Sequence, residues 1–189
     1  VSEYRKCVQA KACTPPKIKE DQKFYRTYDA PGKENMPVNF VDWSQAKAYC
    51  KYAGKRLPTA PEWERAARGA DGRLYPWGDA KPTCQLANMK DCSDPPAFVA
   101  VGSMQEWKSP EGVLHLAGNI WEWTADYYSE TRHASEDPLA AIEQGEKVEI
   151  RGGGLYSVEN FLRGGNREGT APDSADWDLG IRCALSAGK

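Results

Sequence analysis

Between Gly69 and Gly112 the chain is interrupted so often that no long helix or strand fits. Turn signals stand at Asp71-Gly72, Pro76, Gly78-Asp79, Pro82, Asp94-Pro95-Pro96, Gly102, Pro110 and Gly112. Gly admits positive φ and Pro removes a backbone donor, so strands here are short and most of the stretch is turn. Side chains must then hold what long ladders cannot. Seven Trp, nine Tyr and four Phe supply the bulk, because each aromatic buries a large area. A chain of 189 residues can bury roughly 70% of the surface its unfolded form exposes, enough for one core. A single domain over residues 1–189 is the expectation.

Six cysteines stand at positions 7, 13, 50, 84, 92 and 183, with no Cys-x-x-Cys spacing and only His115 and His133 beside them. That pattern disfavours structural zinc. An even number in a loop-rich chain points to disulfides and to a secreted, periplasmic or cell-surface location. Six buried thiols is the competing reading, and spacing alone selects no pairing. Lys and Arg number 25 against 27 Asp and Glu, a net charge of -2 with no basic run, which argues against a nucleic-acid partner. The longest apolar runs are four or five residues, as in Leu139 to Ile142, far short of the roughly 20 a membrane-spanning helix needs. Val1 is not an initiator Met and no signal peptide is visible, so the chain reads as trimmed or processed.

Tyr4, Cys7, Val8 and Lys11 share a helical face that Thr14-Pro15-Pro16 ends, and residues 17–37 read as loop. Ala46, Tyr49, Cys50 and Ala53 predict a second helix, with Ser44 as N-cap and Gly54 as its stop. Thr59 and Glu62 have capping-box spacing ahead of Trp63, Ala66 and Ala67, predicting a third that ends at Gly69. Candidate strands are Phe98 to Val101, Ile120 to Thr124, Val148 to Arg151 and Leu179 to Leu185.

Several ordered blocks carry a resemblance. They are Met36-Pro37-Val38-Asn39 to Trp43, Ala48-Tyr49-Cys50, Gly54 to Thr59 with Glu62-Trp63-Glu64, and Tyr75-Pro76-Trp77-Gly78-Asp79. Further on come Ala87-Asn88, Leu116 to Trp123, Arg151-Gly152-Gly153 and Leu179 to Ala184. Together they resemble the formylglycine-generating enzyme family over nearly the whole chain. The resemblance implies a sulfatase-modifying-factor domain, an α+β, C-type-lectin-like fold with little regular structure, short antiparallel strands and two or three helices. Family members usually start with a strand upstream of the block that Val1 to Tyr4 resembles. A lost first strand, or one supplied by a second chain or a processed piece, is therefore expected. The resemblance also implies a Cys50 to Cys183 bridge, and proximity then pairs Cys7 with Cys13 and Cys84 with Cys92.

The family's enzyme uses a copper ion held by two cysteines after the Arg-Gly-Gly block, a task for soft thiolates. Aligned from Arg151, Ser157 falls near the first and Glu159 or Phe161 near the second. No copper and no formylglycine-generating activity are expected. Ser157 is not on a nucleophile elbow, which argues against a serine hydrolase, and Glu122 with Asp126 has no sugar-site context. A periplasmic oxidase branch associated with siderophore maturation, which also lacks the thiols, is the enzymatic alternative.

Glu122 between Trp121 and Trp123 needs a cation or several donors. The resemblance implies calcium, held by main-chain oxygens of Gly118 and Ile120 and by the Glu122 carboxylate, with His115 standing where an Asn or Asp is usual. Backbone amides or an Arg are the competing partners. A second calcium position maps onto the Asn88 side chain and Met89 carbonyl, with Asp94 as a further candidate; a plain turn role for Asn88 competes. Gly152-Gly153-Gly154 matches no phosphate loop and reads as close backbone packing under Trp121 or Trp123. Arg151, Arg163, Arg167 and Arg182 read as a basic groove floor or, more often, as structural partners of Asp173, Asp176 and Asp178.

The segment between the Arg-Gly-Gly turn and the last strand forms the exposed groove or plateau of C-type-lectin-like folds. Here it offers Leu155, Tyr156, Ser157, Asn160, Phe161, Arg163, Asn166, Arg167 and Trp177, a mixture suited to contact. The competing reading places Tyr156, Phe161 and Trp177 in the core. Retroelement-diversified receptors built on this domain bind ligands there. The expectation is a non-catalytic extracytoplasmic module for a protein or peptide ligand, with the divergent oxidase as alternative.

Overall fold

The protein, as a computed structural model, is described over residues 1–131 and 144–186; His133 and the run Leu139 to Ile142 lie outside the described residues. Helix α1, Ser2–Gln9, buries Tyr4 and Cys7 and is stapled just beyond its end by the Cys7–Cys13 disulfide. Helix α2 spans Trp43–Tyr52. Its N-cap is Asp42, not the expected Ser44: the Asp42 carboxylate accepts from Gln45 N at 2.7 Å while Gln45 Oε1 accepts from Asp42 N at 3.0 Å. That reciprocal pair satisfies two orphan donors, so the helix starts ahead of its apolar periodicity. Helix α3, Ala60–Arg68, has the expected Thr59 and Glu62 capping box, and Gly69 at φ 61° closes it.

Four strands, β1 (Trp121–Tyr127), β2 (Val148–Arg151), β3 (Glu168–Thr170) and β4 (Leu179–Gly180), form one sheet in the order β3-β2-β1-β4. The β1–β2 and β2–β3 pairs are antiparallel, as expected, while β4 runs parallel to β1. The strand expected from Leu179 to Leu185 pairs with β1 only through Gly180, after which Ala184 bridges Arg56. Phe98 to Val101 forms no strand. Its Val99 amide donates to Asn119 Oδ1 at 2.9 Å and Asn119 Nδ2 donates to the Val99 carbonyl at 3.3 Å, so one side chain replaces a neighbouring strand. Strand β3 was not legible because Glu168-Gly169-Thr170 is polar and contains Gly.

The core lies between α2, α3 and the sheet. Trp123 and Trp63 are buried within it, and indole N–H groups close backbone gaps: Trp123 Nε1 donates to Val41 O at 2.9 Å and Trp43 Nε1 to Thr124 O at 2.8 Å. Buried Asp126 accepts from Ala60 N at 2.7 Å, joining β1 to the start of α3; the Glu122 and Asp126 carboxylates thus serve different structural partners. All six cysteines are bridged, Cys7–Cys13, Cys50–Cys183 and Cys84–Cys92. Among the described residues no helix is long and apolar enough to cross a membrane.

Candidate functional site

At the end of β2 the chain reverses through Gly152 and Gly153, at φ 97° and 80°, a region closed to most side chains. A Cβ on Gly152 would lie 3.3 Å from Trp63, one on Gly153 2.9 Å from Leu162, and one on Gly154 3.1 Å from Trp121 and 2.9 Å from the Asp178 carboxylate. The close packing expected of these glycines is thus against Trp63, Leu162 and Trp121.

Ser157 is buried and closes its own turn. Its Oγ accepts from Gly154 N at 2.8 Å and its carbonyl accepts from Lys90 N at 3.1 Å. Across Gly153 from that hydroxyl stands buried Leu162, on the 3-10 turn Glu159–Leu162. Glu159 instead accepts from the Tyr75 hydroxyl at 3.2 Å, and Phe161 lies on the surface. At the positions of the family's two copper cysteines stand a hydroxyl and either a carboxylate or a phenyl ring, with no thiol, and every cysteine is in a disulfide. These donors do not fit copper.

The calcium residues hold a different partner. Glu122 Oε2 accepts from Trp63 Nε1 at 2.6 Å and from Arg182 Nε at 2.7 Å, and Oε1 accepts from Arg182 Nη2 at 2.7 Å. The bidentate guanidinium, which also donates to the Leu114 carbonyl at 2.8 Å, supplies the cation the buried carboxylate needs. His115 shares a cavity of about 170 Å³ with Glu122 and Arg182. Its ring is buried beside Trp107, and burial, then Arg182, hold its pKa below the usual imidazole value. With the carboxylate bound to a guanidinium and His115 in place of an oxygen donor, this set does not fit a divalent cation. At the second position Asn88 Nδ2 donates to Ala97 O at 2.8 Å and to Asn119 Oδ1 at 3.0 Å, tying the amide into the loop next to Gly118. Among the described residues no group of three or more His, Cys, Asp or Glu could hold a metal ion.

The four arginines divide. Arg151, buried, bonds Glu149 at 2.7 Å and Glu64 at 2.9 Å; Arg167 bonds Glu149 at 2.9 Å; Arg182 bonds Glu122. Their partners are glutamates, which corrects the expected pairing with Asp173, Asp176 and Asp178. Asp176 pairs with Lys19 at 3.0 Å. Arg163 is exposed and donates to the Tyr75 hydroxyl.

Beside the turn lies an aromatic strip. Tyr156 and Phe161 are 45% and 38% exposed, so neither is core, whereas Leu155 is buried under Phe98 and Ile120. Tyr156 meets Trp177 edge-on at 5.3 Å, Trp177 packs against Tyr25 at 4.6 Å, and Phe24 follows at 5.4 Å from Tyr25. A bond to the Tyr25 hydroxyl holds the Tyr156 proton and raises its pKa. Phe161 meets Trp121 at 6.2 Å. Phe24 and Tyr25 were missed in the sequence because they fall in the segment read as loop; an aromatic pair amid polar residues was the available signal. Asp178 sits between Gly154 and Trp121, and burial, with Asp176 adding repulsion, pushes its carboxyl up to about 6.

This architecture, a curled sheet with looped connections and a Gly-turned surface, is that of formylglycine-generating-enzyme-like and C-type-lectin-like domains. The chain belongs to the family described as the sulfatase-modifying factor enzyme 1-like domain, whose model matches residues 1–187. It is 34% identical over 183 residues to the inactive C-alpha-formylglycine-generating enzyme 2 of Bos taurus, covering 89% of this chain and 58% of that protein. It is also 34% identical over 177 residues to the formylglycine-generating enzyme of Streptomyces coelicolor, covering 84% and 55% respectively. The chain thus spans a little over half the length of these curated relatives. Among solved structures, PvdO from Pseudomonas aeruginosa aligns with a TM-score of 0.68 and 28% identity, covering 78% of this chain and 60% of that one.

Proposed function

We propose that this domain is a non-catalytic, extracytoplasmic recognition module that holds a protein or peptide ligand on the surface between the Arg151-Gly152-Gly153 turn and β4. One observation carries the reading: where the family's enzyme needs two thiolates, Ser157 is spent on its own turn, Glu159 accepts from the Tyr75 hydroxyl and Phe161 is an exposed ring. Next to that inert centre Tyr156, Phe161 and Trp177 are exposed or half-exposed, and such aromatic anchors at a surface favour contact. The three disulfides support an oxidising compartment. The similarity to a relative named inactive is in line with this.

Selection of a displayed random-peptide library on the wild-type domain tests the reading. Enriched peptides should be retained by the wild type and released by Tyr156→Ala and Phe161→Ala. Unaltered retention by both variants would count against this surface.

A second reading is a divergent oxidase of the same family, supported by 33% identity over 178 residues to the hercynine oxygenase of Mycolicibacterium thermoresistibile. Oxygen uptake with a candidate peptide, abolished by the same two substitutions but not by a distant surface change, would support it.

A further inference from the structure

Of the arginines gathered around β2 and β4, Arg151, Arg167 and Arg182 are each neutralised by a glutamate. Arg163 is not. Among the described residues no carboxylate pairs with it, and its bond is to the neutral Tyr75 hydroxyl, which itself donates to Glu159. It lines a cavity of about 310 Å³ together with Arg68, Leu74, Asn160, Gly165 and Asn166. Asn166 also carries a buried Nδ2 that has no hydrogen-bond partner among the described residues. An unmet buried donor costs free energy in the empty state and returns it when an acceptor arrives.

The pocket's wall is fixed from behind. Arg151 Nη1 donates to the Gly164 and Asn166 carbonyls at 3.2 and 2.9 Å, and Asn166 N donates to the Arg163 carbonyl at 2.9 Å. Arg68 is held by Glu64 Oε1 at 2.8 Å and by the Gly72 carbonyl at 2.8 Å. The loop backbone and Arg68 are thus held in place, and among the described residues no carboxylate lines the cavity. Its volume lies at the lower end of ligand pockets, roughly 300–1,000 Å³, which suits one side chain better than a bare ion.

We infer that this cavity is a subsite for a carboxylate, taken up by the Arg163 fork and the Asn166 amide. The carboxylate is that of an Asp or Glu side chain on the peptide or protein ligand. Phe161, on the 3-10 turn that ends just before Arg163, links the cavity to the aromatic strip. Planar, bidentate pairing favours Arg with carboxylate over a point charge. The inference rests on the binding reading above only for what carries the carboxylate.

The test needs no partner. Titration of the whole domain with acetyl-glutamate amide, followed by NMR at the Asn166 side-chain NH₂ and Arg163 Nε–H, should give saturable shifts. Acetyl-glutamine amide should bind at least tenfold more weakly, as should acetyl-glutamate amide to Arg163→Gln, while Lys55→Gln leaves binding unchanged. Equal shifts with both probes, no shifts with either, or sulfate binding as well as the glutamate probe would overturn the assignment. Because the readout is local, failure here leaves the display experiment on Tyr156 and Phe161 intact, and the reverse also holds.

Discussion

Replacing Glu122 by Gln tests whether an arginine, rather than a metal, neutralises the carboxylate under β1. The change preserves shape but removes the charge facing Arg182, which is only 25% exposed at its side chain, and weakens three donor contacts of 2.6 to 2.7 Å. Breaking a buried pair by one partner costs about 3–5 kcal/mol. The partial exposure of Arg182 places the expectation near about 3 kcal/mol. At about 2–4 °C per kcal/mol for a domain of this size, the melting temperature should fall by about 6–12 °C. Arg182→Met should cost a similar amount, and the double variant should cost less than the sum, since neither charge is then stranded. Thermal unfolding by circular dichroism, with and without chelator, reads all of this. The wild type should melt alike in both conditions. A chelator-dependent fall in the wild type, or a Glu122→Gln cost below about 1 kcal/mol, would refute the reasoning.

Asp178 carries a pH signature. Its carboxyl, pushed up to about 6 in the fold, lies above the unfolded value near 3.9, so the folded state binds the proton more tightly. Its contribution therefore favours folding below about pH 4 and is lost as pH rises through about 6, a change on the order of 2 kcal/mol. Asp178→Asn should remove that slope and be the more stable protein at pH 7; parallel urea-denaturation profiles for the two proteins from pH 4 to 7 would contradict it. The Cys50–Cys183 bridge closes a sequence separation of 133 residues, so the Cys50→Ala, Cys183→Ala double variant should lose about 5 kcal/mol in the chain-entropy account. The separations of 6 and 8 at the other two bridges predict losses of about 2 kcal/mol each. Equal midpoint shifts for the three pairs in guanidinium would sink that ranking.

Much of the scaffold could be read from the sequence because local signals coincide with it. The Thr59 and Glu62 capping box and the Gly69 stop needed only neighbours in the chain. Asp42 was overlooked as a cap because the apolar periodicity begins later than the hydrogen-bonded turn. Phe98 to Val101 has strand composition, yet the Val99 amide and carbonyl are met by Asn119, about 20 residues away, and the Val101 amide by the Asn35 carbonyl, and no periodicity reports that. At the site, the loss of thiols was visible residue by residue, as was the Glu122 carboxylate's need for a partner. That Arg182 reaches this carboxylate was not, since it depends on β4 lying beside β1. The separation of Arg163 from its three paired neighbours was hidden too, because Glu64 and Glu149 reach Arg151 from different elements.

The central claim is that the family's redox centre has become an inert turn beneath a binding surface. Cu(I) competition against a chromophoric chelator, with a thiol count on the same native sample, tests it most directly. The account predicts no free thiol and no copper retained against the chelator. One copper per chain held against the chelator, with oxygen consumed in the presence of a reductant, would contradict it.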